Sequence, residues 1–194
     1  MKTTPLLAAL AAIALVPTLA HAGLDTSNPV HPLVGTALTA GGDKLSEVDF
    51  QRGGSRDITA GGLLQVWGGV EWHPQGAPYG VQATLGYHFD NTTARNGSQR
   101  FDRVPLELIG LYSLAPKFRL GAGVRYAAAA KFHSDGAGYV GNYSFKSELA
   151  PMIVGEWLII PSVGVQLRYV HETYKLDGTS IDGSHGGIGV NYYF

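Results

Sequence analysis

The stretch Gly187-Gly-Ile-Gly-Val-Asn-Tyr-Tyr-Phe194 decides how this chain reads. Ile188, Val190, Tyr192 and Phe194 alternate with Gly187, Gly189, Asn191 and Tyr193. A period of two residues belongs to a strand whose two faces meet different surroundings. The rule repeats upstream. Val163, Val165, Leu167 and Tyr169 alternate with Gly164, Gln166, Arg168 and Val170, and Phe118, Leu120, Ala122, Val124 and Tyr126 with Arg119, Gly121, Gly123 and Arg125. Tyr79, Val81, Ala83, Leu85 and Tyr87 stand against Gln82, Thr84, Gly86 and His88. Runs 58–73 and 103–114 follow, the latter with Leu106, Leu108 and Tyr112 opposite Glu107. Run 143–159 sets Phe145, Leu149, Ile153 and Trp157 against Lys146, Glu148 and Glu156, and 33–42 is the first and faintest run. These are eight strands with almost no 3.6-residue periodicity between them.

Connections alternate in length. His73-Pro-Gln-Gly-Ala-Pro78, Ala115-Pro-Lys117 and Ile160-Pro161 are short and proline-marked, whereas about 43–57, 90–102, 132–142 and 176–184 are longer and rich in Gly, Asn, Asp and Ser. Short turns at one end and long loops at the other describe an up-and-down barrel whose ends face different compartments; a sandwich has no reason for such alternation. The apolar register carries Trp72, Tyr79, Phe118 and Trp157 near the short turns, and Tyr87, Tyr126, Tyr143 and Tyr169 toward the loops. Two aromatic girdles bounding an apolar band belong to a wall in lipid, while a soluble lipocalin-type barrel is apolar inside.

Composition agrees. Of 194 residues only 15% are charged, against roughly 25% in ordinary globular chains. Twenty-seven Gly, ten Tyr and no Cys exclude a disulfide scaffold and a cysteine metal site. A net charge of −1 without a Lys/Arg cluster gives nucleic acid no footprint. Mean hydropathy of +0.04 does not suit a helical membrane protein. Lys2, the apolar run Leu6 to Val16, and Ala20-His21-Ala22 form the three parts of a secretory signal. The expected division is therefore a signal over 1–22 and a barrel domain over 23–194.

On these features the chain resembles the small eight-stranded outer-membrane barrels, the group of the OmpX-like proteins and the OmpA transmembrane domain. Residues 33–194 carry the likeness as architecture. Its most specific element is Gly189-Val-Asn-Tyr192-Tyr-Phe194, similar to the last-strand signal read by the outer-membrane insertion machinery. The resemblance implies residence in a Gram-negative outer membrane among lipid and lipopolysaccharide, contact with that machinery during assembly, and surface loops that bind a ligand or reinforce the envelope. Activities vary within such a group, so architecture does not assign one.

Eight strands enclose only enough room for side chains. The inward register should place Glu71, Glu107, Glu148, Glu156 and Glu172 against Arg119, Arg125, Lys131, Lys146 and Arg168, as pairs or a bridged network. Arg125, Arg168, Glu107 and Glu148 would line a narrow ion path if those pairs rearranged. Inward glycines at 86, 121, 123, 164 and 189 would leave room for water. His133-Ser134-Asp135 has triad residue types, but chain neighbours point apart and read as a polar turn. His88, His133 and His185 share the inward parity near the loop end, where three imidazoles would suit zinc; the plainer reading is scattered rim histidines, with no metal or cofactor. His171 and Thr173 face outward near the outer leaflet and are similar to the His-x-Ser pair of lipid A deacylases. Thr replaces Ser, however, and the final strand offers no acid, so the expectation is no catalysis. Ala127 to Ala130 form a smooth patch, and Phe50, Phe101 and Tyr139 are the aromatic anchors available to the loops.

Overall fold

The computed structural model describes residues 28–49, 55–94, 97–136, 139 and 141–194; the expected signal segment and Phe50 lie outside them. The described elements are thirteen strands and no helix: β1 (Val30–Gly41), β2 (Lys44–Asp49), β3 (Ser55–Thr59), β4 (Leu63–Trp72), β5 (Tyr79–Ala94), β6 (Gly97–Ala115), β7 (Phe118–Gly136), β8 (Tyr143–Ser147), β9 (Ala150–Ile160), β10 (Val163–Val170), β11 (Thr173–Leu176), β12 (Thr179–Asp182) and β13 (His185–Tyr193). β1, β4, β5, β6, β7, β9, β10 and β13 pair in that order, each antiparallel to the next. The ring closes between β1 and β13, from Leu33↔Tyr193 to Gly41↔His185. The chain is thus a closed eight-stranded barrel with no free edge along its wall. Both described ends lie with the short turns, where the Phe194 amide donates to the Pro32 carbonyl at 2.9 Å.

Alternation explains the wall. Leu85, Leu106, Leu108, Leu120, Ile153, Leu167 and Ile188 stand exposed outside, with Leu167 and Ile153 as high as 62% and 60%, while Gln65, Glu71, Arg125, Glu156 and Asn191 are fully enclosed. Apolar outside and polar inside is the sense of a barrel solvated by lipid, since such a continuous aliphatic belt has no stable place in water. Trp72 and Tyr79 meet with ring centroids 6.5 Å apart, and Phe118 and Trp157 at 6.3 Å, at the short-turn end of that belt. Tyr87, Tyr126 and Tyr169 mark its other end.

Above the belt the structure departs from the expected loops. Segment 90–102 is largely ladder, with Asn91↔Arg100 and Ala94↔Gly97 extending β5 and β6 into water. Segment 43–57 contains the β2–β3 hairpin and 176–184 the second arm of the β11–β12 hairpin. Polar strands standing in water carry no apolar alternation, so periodicity cannot find them. The first strand also starts earlier than read, at Val30.

Two irregularities reverse the parity there. In β7, Val104 faces Ala128 but Asp102 faces Lys131, and Ala129 adopts φ of 54°. This β-bulge lies in the alanine patch and inserts one extra residue. Below it Arg125 and Ala127 point inward; above it Ala130, Phe132 and Ser134 do, leaving Lys131 and His133 outside. The run 143–159 breaks at Glu148-Leu149 into β8 and β9, so Phe145 and Glu156 both face inward although their spacing is odd. Phe101, Phe132, Phe145 and Tyr174 then gather with Ile58 and Ala60 into an apolar cluster under the β2–β3 hairpin. The hairpin base is tied into the barrel by Arg103, whose guanidinium donates to the Ala60 and Gly62 carbonyls.

A non-glycine residue at φ of 54° bears a local strain of order 1 kcal/mol. Ala129→Gly is therefore expected to raise the unfolding free energy by up to about 1 kcal/mol, and Ala129→Val to lower it by more. Urea unfolding of the detergent-folded protein checks both; an unchanged midpoint in the glycine variant contradicts the account.

Candidate functional site

The lumen is crossed by polar side chains at two heights. Near the short turns Arg119 of β7 is the hub. Its Nη1 donates to Glu71 Oε1 of β4 at 2.5 Å, and its Nε to Glu156 Oε2 of β9 at 2.9 Å. Tyr193 Oη accepts from Arg119 Nη2 at 2.8 Å and donates to Glu156 Oε1 at 2.7 Å. Asn191 Nδ2 donates to that same Glu156 oxygen at 2.8 Å, and its Oδ1 accepts from Trp67 Nε1 at 3.0 Å. Trp67 fits because β1 presents Gly35 there; a Cβ on Gly35 would collide with the indole and lie 2.5 Å from Asn191 Oδ1.

Higher up, Glu107 of β6 takes the central place. Its Oε1 accepts from Arg125 Nη1 at 2.8 Å, Arg168 Nη2 at 2.6 Å and Gln65 Nε2 at 3.0 Å. Gln65 returns its Oε1 to Arg125 at 2.9 Å. Arg125 also reaches Glu172 Oε1 at 3.3 Å and His88 Nδ1 at 2.9 Å, and His88 Nε2 meets Thr39 Oγ1 at 2.8 Å. Arg168 lies over the Trp67 ring, 5.0 Å from its centroid, and so links the two heights.

Glu71, Glu107, Glu156 and Glu172 are thus enclosed with Arg103, Arg119, Arg125 and Arg168, and Asp90 adds a further enclosed acid below the β2–β3 hairpin, 3.8 Å from the half-exposed Arg56. Sequence reading missed Arg103, although it shares the parity of Glu107 and that alone was enough to place it. Three expected interior charges are outside. Lys131 is turned out by the bulge and Lys146 by its place on β8. Glu148, at the break between β8 and β9, is 49% exposed and paired with Lys175. The inward glycines do not leave open space either: a Cβ on Gly164 would lie 2.5 Å from Glu156 Oε1, and one on Gly189 2.9 Å from the Ala37 Cβ.

Outside, Trp72, Tyr79, Phe118 and Trp157 line the lower rim of the belt, with Tyr192 and Phe194 stacked edge-to-face at 4.9 Å beside them. Tyr143 differs from the expected girdle: β8 pairs it with Phe132 above the belt, on the inner side of the sheet there. Phe101 is fully buried rather than a surface anchor. His88 and His185 lie edge-to-face at 5.1 Å, but His133 faces out, and among the described residues no cluster of metal-ligating groups forms.

His171 partners Ser184 rather than Thr173, with Nδ1 2.9 Å from Oγ. The Asp182 carboxyl sits beside them, held below the usual carboxylate range chiefly by the Ser184 hydroxyl. The adjoining amides already have acceptors: Ser184 N–H donates to Asp182 Oδ1 and Gly183 N–H to the Glu172 carbonyl. Neither amide is left to stabilise an oxyanion at the serine.

A closed up-and-down barrel with a lipid-facing belt and a polar, side-chain-filled lumen is the fold of the small outer-membrane barrels. Among solved structures the chain is similar to Ail, the attachment invasion locus protein of Yersinia pestis, in complex with the heparin analogue sucrose octasulfate. That pair shares 14% identity at a TM-score of 0.50, over 85% of this chain and 97% of Ail. It is also similar to neisserial surface protein A, at 9% identity and a TM-score of 0.51, over 86% of this chain and 98% of that one. The sequence matches no family model and no curated protein.

Removing one partner of a buried ion pair strands the other without water. Arg119→Met, which leaves Glu71 and Glu156 facing each other, is expected to destabilise the barrel by about 3–5 kcal/mol. Adding Glu156→Gln should recover part of that loss. Urea midpoints of the three proteins test this, and strictly additive losses would show that the residues do not act together.

Proposed function

We propose that this protein is an exported, non-enzymatic integral protein of a Gram-negative outer membrane. Its charge-paired barrel is a rigid mount, and its folded extracellular hairpins bind a surface ligand or reinforce the envelope. The observation that carries the reading is the filled lumen inside an apolar wall, which leaves the extracellular structure as the surface available for function. Gly189, Tyr192 and Phe194, on or just after β13, supply the terminal aromatic signal for the insertion machinery, and the belt meets outer-membrane lipid and lipopolysaccharide.

Loop structure supports a binding role. A cleft of about 540 Å³ opens between the β2–β3 and β11–β12 hairpins, lined by Leu45, Phe132, Phe145 and Ile181 with Asp43 and Lys44 at its rim. Lys44 is committed to Glu47 and Asp57, so this cleft offers an apolar floor rather than a free cation. The solved complex of Ail with the heparin analogue sucrose octasulfate supports a ligand-binding role on this fold, although a cleft of this chemistry suits a less charged ligand. Occupied amides around His171 and Ser184 support the absence of lipid hydrolysis. The ion-path alternative would require the Glu107–Arg125–Arg168 cluster to open.

Three measurements test the reading. The mature protein folded in detergent should migrate differently before and after boiling; identical mobility of a detergent-free soluble protein would reverse the barrel's sense. Lipid A masses should be the same with and without expression, and a new deacylated species absent in Ser184→Ala would establish an enzyme. Planar bilayers should show no steady current, and a current altered by Arg125→Ala would favour the ion path instead.

A further inference from the structure

The cleft between the two hairpins combines an apolar floor with hydrogen-bonding groups along one side. On the floor Leu45, Phe145 and Ile181 are half-buried, and Tyr143 is 41% exposed. The polar side is the free edge of β12. The β11–β12 hairpin turns at Asp177-Gly178, with φ of 49° and 86°, the left-handed pair of a two-residue turn. Leu176 and Thr179 close that turn as a hydrogen-bonded pair, which makes Tyr174 and Ile181 the next one. Between them Ser180 directs its N–H and C=O away from β11, toward the cleft. Asp182, two residues on, shows the same phase. Its carbonyl accepts from Asp43 N–H at 2.7 Å, and its N–H donates to Asp43 Oδ2 at 2.8 Å. No ladder joins β12 to β2 above that link. The exposed hydroxyls of Thr179 and Ser180 add donors and acceptors at the same edge.

Three ligand classes conflict with these groups. A sulfated, phosphorylated or carboxylated ligand needs a cation, and among the described lining residues the one cation, Lys44, is held by Glu47 and Asp57. The Asp43 carboxylate at the rim repels such groups. A wholly apolar ligand would cover the Ser180 main chain and the hydroxyls without giving them a hydrogen bond. An added polypeptide strand needs a run of main-chain pairs. On β12 only Ser180 is offered before the Asp43 link, and β2 is bulged between Lys44 and Ser46. What fits is an uncharged group with one apolar face and hydroxyls around its edge. A sugar ring has that form, and a cleft of about 540 Å³ is the size of a small-ligand site.

We propose that the cleft binds the uncharged terminal sugar of a glycan. The C–H face of the ring lies on Tyr143 and Phe145, and its hydroxyls meet the Ser180 main chain, the Thr179 and Ser180 hydroxyls and the Asp43 carboxylate. This rests on the ligand-binding reading above and names the class of ligand.

The test applies mature protein, folded in zwitterionic detergent, to immobilised glycans that share one core and end in galactose, glucose, mannose or N-acetylhexosamine. Each stands beside its sulfated and its sialylated form, and uncharged apolar peptides are included. Wild type should retain at least one neutral ending and bind its sulfated and sialylated forms about tenfold more weakly. Tyr143→Ala should weaken the neutral glycan about tenfold, while Tyr143→Phe keeps it. Asp43→Asn, which preserves an oxygen for the Asp182 amide, should narrow the gap between neutral and sulfated forms. Lys117→Gln, at a short turn, should change nothing. A boiling shift in each variant separates loss of the site from loss of the barrel. Equal binding by wild type and folded Tyr143→Ala overturns the site, and an unchanged gap in Asp43→Asn overturns the role of that carboxylate. Preference for a sulfated or sialylated form, or retention of the peptides in place of sugars, overturns the sugar class and leaves the binding reading standing. A folded wild type that retains no probe overturns both.

Discussion

A buried guanidinium or carboxylate must find its counter-charge inside the protein, and in a tube eight strands wide that requirement governs everything else. Acids and bases share both heights of the lumen. The lower holds Arg119 with Glu71 and Glu156, the upper Glu107, Glu172 and Asp90 with Arg103, Arg125 and Arg168. The contacts also join strands that are not neighbours in the wall: Arg119 of β7 reaches Glu71 of β4 and Tyr193 of β13, and Glu107 of β6 reaches Arg168 of β10. The ladder closes the cylinder, and the ion pairs brace it across its diameter.

Bracing of this kind demands space for large groups, and glycine provides it. The Trp67 indole occupies the room left by Gly35, and Arg168 stacks on the same indole from above.

The bulge at Ala128–Ala130 and the break at Glu148-Leu149 separate two regimes of solvation. Below them the wall sorts residues by lipid outside and charge inside. Above them water is outside, so aromatic rings turn inward into a cluster under the β2–β3 hairpin while lysines turn out. One extra residue is enough, because a period of two converts any single insertion into a change of face. The half above the belt thereby gains its own small core, which packs under the β2–β3 hairpin.

Within the belt the sequence by itself determined the strand number, the closed up-and-down order, the outward and inward registers and most of the buried charges. Lipid and lumen impose opposite polarity on successive residues, and that contrast is written directly as alternation. Even Arg103 was accessible by counting from Glu107. Only the tertiary structure decided what lies above the belt. Lys131, Lys146, His133 and Glu148 follow the alternation of their strands until the bulge and the break, and alanines and a Glu-Leu step carry no local mark of either. The polar strands of residues 90–102 and the partnership of His171 with Ser184 rather than Thr173 depend on segments distant in sequence. In water both faces of such strands tolerate polar residues, so pairing and packing between loops, not periodicity, set where those side chains point.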